Sequence, residues 1–104
     1  MKPAASRHSE IVAVLLALRE GEVVSYGDVA DAAGLPGRSR LVGHVLAGHS
    51  ERLDLPWWRV VTSVGRLVPG AEDDQTRLLG IEGVAVRRGR VISSPLGRFS
   101  GRAG

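Results

Sequence analysis

The fold turns on the stretch Ser25-Tyr26-Gly27-Asp28-Val29-Ala30-Asp31-Ala32-Ala33-Gly34-Leu35-Pro36-Gly37-Arg38-Ser39-Arg40-Leu41-Val42-Gly43-His44-Val45-Leu46-Ala47. Ser25 with Asp28 three positions on has the form of a capping box, with Asp in place of the usual Glu, ahead of Val29, Ala30, Ala32 and Ala33. Gly34 stands where a helix C′ residue is expected, and Leu35-Pro36-Gly37 reads as a tight turn. The spacing then predicts a helix from about Ser39 to Ala47 that buries Leu41, Val42, Val45 and Leu46. Arg38 and Arg40 stand at its start. Two short helices joined by a Gly/Pro turn form a helix-turn-helix pattern. By itself the pattern is moderately specific, because many small helical hairpins bind nothing.

Upstream, Ser6 opens a helix whose apolar face is Ile11, Val12, Leu15 and Leu16 with Leu18, and Gly21 stops it. Glu22-Val23-Val24 is a short apolar entry to the helix pair. Downstream, a polar loop from His49 to Leu55 closes on Pro56. Trp58 to Thr62 is strand-like, Gly65 is a turn, and Arg66-Leu67-Val68 is the expected return of a hairpin. Pro69-Gly70 breaks the chain again. Ala71 to Leu79 is predicted helical, with Glu72, Asp73 and Asp74 at the end the dipole favours for acids, and Gly80-Ile81-Glu82-Gly83 ends it. Val84-Ala85-Val86 and Arg90-Val91-Ile92 flank Arg87-Arg88-Gly89 as a second hairpin resembling the wing of a winged helix. Ser93 to Gly104 is rich in Gly, Ser and Arg and is expected to be a mobile basic tail. There is no internal repeat and no visible domain boundary. The expected architecture is mainly α with short β-hairpins: a single winged helix-turn-helix-like domain over 1–92, then the tail over 93–104.

With 104 residues and 11.0 kDa the chain has the length of one domain. Charged residues make up 24% and hydrophobic ones 43%, ordinary globular usage that argues against a disordered chain. No apolar run approaches the roughly 18 residues of a membrane span. No secretory signal precedes the first helix, so a cytoplasmic, nucleoid-associated protein is expected. The cysteine count is zero, which excludes disulfides, thiolate zinc sites, iron–sulfur clusters and a cysteine nucleophile. His8, His44 and His49 lie far apart and lack metal-binding spacing, so neither metal nor cofactor is expected. Lys2 is the only lysine, so the net charge of +3 is carried almost entirely by arginine. That usage suits bidentate phosphate contacts, but a solvated arginine surface explains it equally well.

The densest chemical signal is Pro56-Trp57-Trp58-Arg59-Val60-Val61. The chain's only two tryptophans are adjacent and follow a proline. Large rings are usually core residues. On an extended segment, however, neighbours point to opposite faces, so one ring is expected to line a cleft or surface.

Val24-Ser25-Tyr26-Gly27-Asp28-Val29-Ala30, then Arg40-Leu41-Val42-Gly43, then Pro56-Trp57-Trp58-Arg59-Val60-Val61 resembles the O6-alkylguanine-DNA alkyltransferase family in order and spacing, from about Ser6 to Ile92. The repair enzymes of that family carry Pro-Cys-His-Arg-Val, whose cysteine accepts the alkyl group. Trp57 stands at the cysteine's place. This is the pattern of the alkyltransferase-like proteins, which lack the enzymes' N-terminal domain. Trp58 replaces the adjacent histidine that those proteins usually keep. A tryptophan indole is neither thiolate nor general base, so no catalytic residue is implied.

The resemblance implies roles for particular residues. Arg40 aligns with the arginine finger that fills the gap left by a flipped nucleotide; an exposed helix-start arginine touching phosphate is the plainer alternative. Tyr26 aligns with the tyrosine that crowds the target phosphate, and its plainer reading is a core-packing aromatic. Trp57 forms a pocket wall for the flipped base, with Pro56, Trp58 and Val68 around it. Arg59 supports the loop, unless it is a surface strand residue. Arg38 and Gly43 belong to the DNA-facing helix; independently of the resemblance, a glycine inside a helix costs stability relative to alanine, so Gly43 is expected to permit a close approach to a neighbouring helix or to DNA. His49 takes the place of a hinge asparagine. Apart from the resemblance, Arg87, Arg88 and Arg90 offer phosphate contacts as a wing, although a charge cluster at a hairpin is more often simply solvated.

The implied function is a monomeric binder of double-stranded DNA containing O6-alkylguanine. It flips the nucleotide, transfers nothing, and hands the lesion to nucleotide excision repair damage-recognition proteins, with no membrane partner. A winged-helix transcription regulator with a defined site is the alternative, and it gives Pro-Trp-Trp-Arg-Val no role. An alkyl-transferring enzyme lacks its acceptor.

Overall fold

The computed structural model describes residues 4–49 and 53–101. In chain order they form α1 (Ala4–Leu16), β1 (Glu22–Ser25), α2 (Tyr26–Ala32), α3 (Ser39–His49), a 3-10 turn (Trp57–Arg59), β2 (Val60–Val61), α4 (Glu72–Ile81), β3 (Ala85–Arg87), β4 (Arg90–Ser93) and β5 (Leu96–Gly97). Where the sequence shows no boundary, the contacts gather into two compact units: residues up to Leu18 with Tyr26–Trp57, and Arg19–Ser25 with the chain from Trp58 onward.

The first unit is helical. On α1 the buried line is Ile11 and Leu15, four residues apart and so on one face, whereas the expected Leu16 turns outward and is 57% exposed. Helix α2 follows Ser25 directly and closes as its glycine predicts. Gly34 adopts φ 76, its N–H donates to Asp31 O at 3.0 Å, and the Leu35 N–H reaches Ala30 O at 2.8 Å. That pair of bonds satisfies carbonyls that a helix end leaves bare. Helix α3 buries Val42, Val45 and Leu46 and packs against α2, which buries Val29 and Ala30, with Leu41 only half-buried. The helix-turn-helix reading stands.

The second unit departs from the expected hairpin. Val60 and Val61 pair in parallel with Val24 and Ser25, and Leu96 and Gly97 pair in parallel with Glu22 and Val23, giving the order β2-β1-β5. A parallel pair needs a long connection, so neighbouring strand signals join partners that local reading keeps apart. Arg66 bridges antiparallel to Arg90 instead of returning along β2. The expected strand from Trp58 also begins late, because Trp57–Arg59 is 3-10. The hairpin of β3 and β4 is present as expected.

The expected mobile tail is the clearest correction. Residues 93–101 are built into the unit: β5 lies against β1, Ser94 is buried, and Phe99 sits in a core with Val23, Val61, Leu67, Leu79, Val84 and Val91. One large aromatic outweighs a Gly/Ser/Arg composition, since burying such a ring is worth a few kcal/mol. Arg98 is tied down as well, its Nε donating to Ser63 O at 3.0 Å. Arg102 and the last two residues lie outside the described residues.

Candidate nucleic-acid interface

In the first unit the signals converge on the start of α3. Arg38 is its N-cap: its carbonyl accepts the N–H groups of Leu41 at 3.0 Å and Val42 at 3.3 Å. Arg38 and Arg40 are both exposed, and no acidic residue lies in the first turn. Among the described residues no carboxylate pairs with either arginine. Cations at this end oppose the helix dipole by about 0.3–1 kcal/mol each. The bare N–H groups there and the two guanidiniums together suit an anion.

Tyr26 heads α2 and is half-buried; burial raises its phenol above the usual 10.0, so it stays neutral. A Cβ placed on Gly43 would stand 4.0 Å from Tyr26 Cε1, an ordinary contact. The structure therefore brings Tyr26 and Gly43 together, and helix packing does not demand glycine at 43. His49 ends α3 with its ring edge-on to that of His8, centroids 6.2 Å apart. Two histidines distant in sequence thus meet, although no group of three potential metal ligands occurs among the described residues.

Pro56 is buried beside the fully buried Leu55, and the Trp57 N–H closes a tight turn over it to Leu55 O at 2.8 Å. This fixes the backbone that carries the half-buried Trp57.

The second unit holds Trp58, Arg59 and Val68 through two residues that the sequence reading passed over. Glu82 is 6% exposed in its side chain. It accepts the Trp58 indole N–H at 2.8 Å, Arg59 Nε at 2.9 Å and Nη2 at 2.7 Å, and the Gly21 N–H at 2.8 Å. Burial would raise its carboxyl, but the Arg59, Gly21 and Trp58 hydrogen bonds with the Arg59 charge hold it below the ordinary 4.5. Gln75, wholly buried, donates to Trp58 O at 3.2 Å and Val60 O at 3.3 Å and accepts the Val68 N–H at 2.7 Å. Signals for both existed. A glutamate capping the C-terminus of a helix runs against the dipole, and Gln75 precedes the buried Leu79 by four residues, placing a polar group on the core face.

Arg59 is thus neither a surface residue nor on a strand. Its guanidinium forks onto Glu82 and lies 5.2 Å from the centre of the Trp58 ring. Trp58 packs against the Phe99 core, so the alternation argument fails for it: on a 3-10 turn two adjacent rings need not oppose each other.

The sequence model of the 6-O-methylguanine DNA methyltransferase DNA-binding domain matches residues 6–84. The chain belongs to this family. Among the family's curated members, it is 39% identical over 79 residues to the DNA base-flipping protein of Vibrio parahaemolyticus, covering 74% of this chain and 79% of that one. To the Escherichia coli K12 DNA base-flipping protein it is 43% identical over 75 residues, but spans only 58% of that protein's length. Its fold matches S. pombe Atl1, solved with damaged DNA containing O6-carboxymethylguanine, with TM-score 0.75 at 24% identity over 83% of each chain. It also matches Mycobacterium tuberculosis OGT solved with DNA, with TM-score 0.64 at 28% identity, over 79% of this chain and 51% of that one. The alkyltransferase-like resemblance and the small helical fold with short strands both stand.

Proposed function

We propose that this protein recognises O6-alkylguanine in duplex DNA by flipping the nucleotide, leaves the alkyl group in place, and marks the lesion for nucleotide excision repair. The observation that carries the reading is Trp57, set on the Pro56 turn at the position of the family's acceptor cysteine, in a chain with no cysteine. The relatives named as base-flipping proteins support it. An indole has no lone pair fit to displace an alkyl group, whereas its flat face suits contact with an extruded base. Flipping costs a few kcal/mol, and aromatic contact returns about 1–3 kcal/mol per base, so recognition without chemistry is energetically reachable. Arg40 fills the gap in the stack, Tyr26 crowds the target phosphate, and Arg38 holds the backbone. Pro56 fixes the turn that carries Trp57. A lesion bound and never dealkylated gains purpose from a partner, and the damage-recognition proteins of excision repair are that partner.

The test is a competition at fixed, moderate salt between a duplex carrying O6-methylguanine and the same duplex unmodified. Preference for the lesion that drops in Trp57→Ala, with no radiolabel transferred from labelled DNA to protein, supports the reading. Equal affinity for both duplexes removes it in favour of sequence-specific regulation.

A further inference from the structure

On the second unit, Arg66, Arg87, Arg88 and Arg90 line a cleft of about 340 Å³ with Ile92. The strands make this row unavoidable. Arg87 and Arg90 are direct partners across β3 and β4, and Arg66 bridges the far side of Arg90. The Leu67 N–H to Gly89 O bond at 3.1 Å and the Val91 N–H to Gly65 O bond at 2.8 Å hold that third segment in place. Val91 turns inward to the core and Val86 packs against it, so the arginines between them stand outward.

Two features go against stability. Like charges directly opposite on a sheet repel, and among the described residues no carboxylate neutralises any of the four. At the hairpin tip Arg88 adopts φ 51, beside Gly89 at φ 72. Glycine and asparagine are the residues that take that conformation readily. An arginine held there in a repelling row points to an anion that compensates it.

We infer that this cleft binds the sugar–phosphate backbone of DNA, as a contact surface separate from the start of α3. The inference rests on the DNA-binding reading of the chain, though not on its preference for a lesion. Guanidinium forks match phosphate oxygens. Among the described residues the lining holds no aromatic anchor, and Ile92, 41% exposed, is its one apolar side chain, whereas a protein partner typically needs a buried aromatic or aliphatic anchor. Backbone contacts need none and carry no sequence information.

The test measures affinity against salt on the unmodified duplex for the wild type, Arg87→Gln/Arg90→Gln, and a control of equal charge loss, Arg19→Gln/Arg77→Gln, whose arginines neighbour Glu22 and Asp74. Each lost phosphate contact makes the log–log slope shallower by about 0.9. The expected result is a slope shallower by nearly 2 in the cleft variant and unchanged in the control, with the ratio of lesion to unmodified affinity preserved. If the wild type shows no lesion preference, the proposed function fails while the slope comparison still decides this inference. Equal slopes in wild type and cleft variant, or equal loss in the control, overturn it. So does arginine-dependent binding of inorganic pyrophosphate or polyglutamate with an unchanged DNA slope, which assigns the cleft to a small phosphate ligand or an acidic polypeptide.

Discussion

Arg59 and Arg40 are the same residue type used in opposite ways. Arg59 is 14% exposed in its side chain, forked onto Glu82 and stacked over Trp58, and among the described residues no buried side-chain polar atom lacks a hydrogen-bond partner. Arg40 is exposed, at the helix end that disfavours cations, with no carboxylate partner among the described residues. A paired, buried guanidinium is architecture; an unpaired one at a cost in stability points outward to a ligand. Substitutions should therefore separate the two: large stability loss on one side, loss of binding with little stability change on the other.

The largest effect is expected from Glu82→Ala. It strands the Arg59 charge and the Trp58 N–H, and removing one partner of a buried pair costs about 3–5 kcal/mol. For a domain of this size that lowers Tm by at least about 12 °C. Thermal unfolding that shifts by less than a quarter of this makes Arg59 a solvated residue and dissolves the contrast. The same carboxylate sets an acid limit. Its pKa is lowered on folding, so its contribution is complete above the ordinary 4.5 and fades as pH falls below that through the folded value. Wild-type Tm should decline there, and Glu82→Gln should flatten that part of the profile.

Gly97→Ala comes next. At φ 88 its Cβ would meet the backbone of Val23, with Val23 N only 2.9 Å away, and neither strand can yield without breaking the β1–β5 pair. Strain and overpacking together predict about 2–3 kcal/mol, read by denaturant unfolding. A mobile tail, as composition alone suggests, would register no change.

That contrast also explains what was legible in the amino-acid sequence. The helix pair was readable because its signals are local: Gly34 as the cap of α2, the Leu35-Pro36-Gly37 turn, and Val42, Val45 and Leu46 at helical spacing. Trp57 stands out in the sequence through the motif around it. The parallel sheet was not, since Val24 meets Val60 across 36 positions and nothing near either names the other. Phe99 was hidden in a polar stretch. Glu82 and Gln75 carried only the signal of a polar side chain at an unfavourable helix position, and their roles lie in partners from other segments, Gly21 and Trp58 among them.

Gly43→Ala sharpens the comparison from the binding side. Among the described residues the added methyl meets Tyr26 Cε1 alone, at 4.0 Å, so helix propensity should raise stability by up to about 1 kcal/mol. If the glycine serves an approach of DNA to α3, affinity for duplex falls while Tm rises. Affinity unchanged returns Gly43 to a neutral helix position.

Arg40→Ala is the smallest change in stability and the sharpest in function. Removing a cation from the positive end of α3 and inserting the best helix former should hold Tm or raise it by the equivalent of about 0.5 kcal/mol. A guanidinium that only touches phosphate would weaken lesion and unmodified duplexes alike and make the salt slope shallower by about 1. One that fills the gap behind an extruded base acts only once the base has left the stack, so its removal lowers the ratio of lesion to unmodified affinity. Fluorescence of 2-aminopurine beside the lesion separates these cases. It should brighten on binding of wild type and stay quenched with Arg40→Ala even at saturating protein, whereas a phosphate contact predicts equal brightness for both once the DNA is bound.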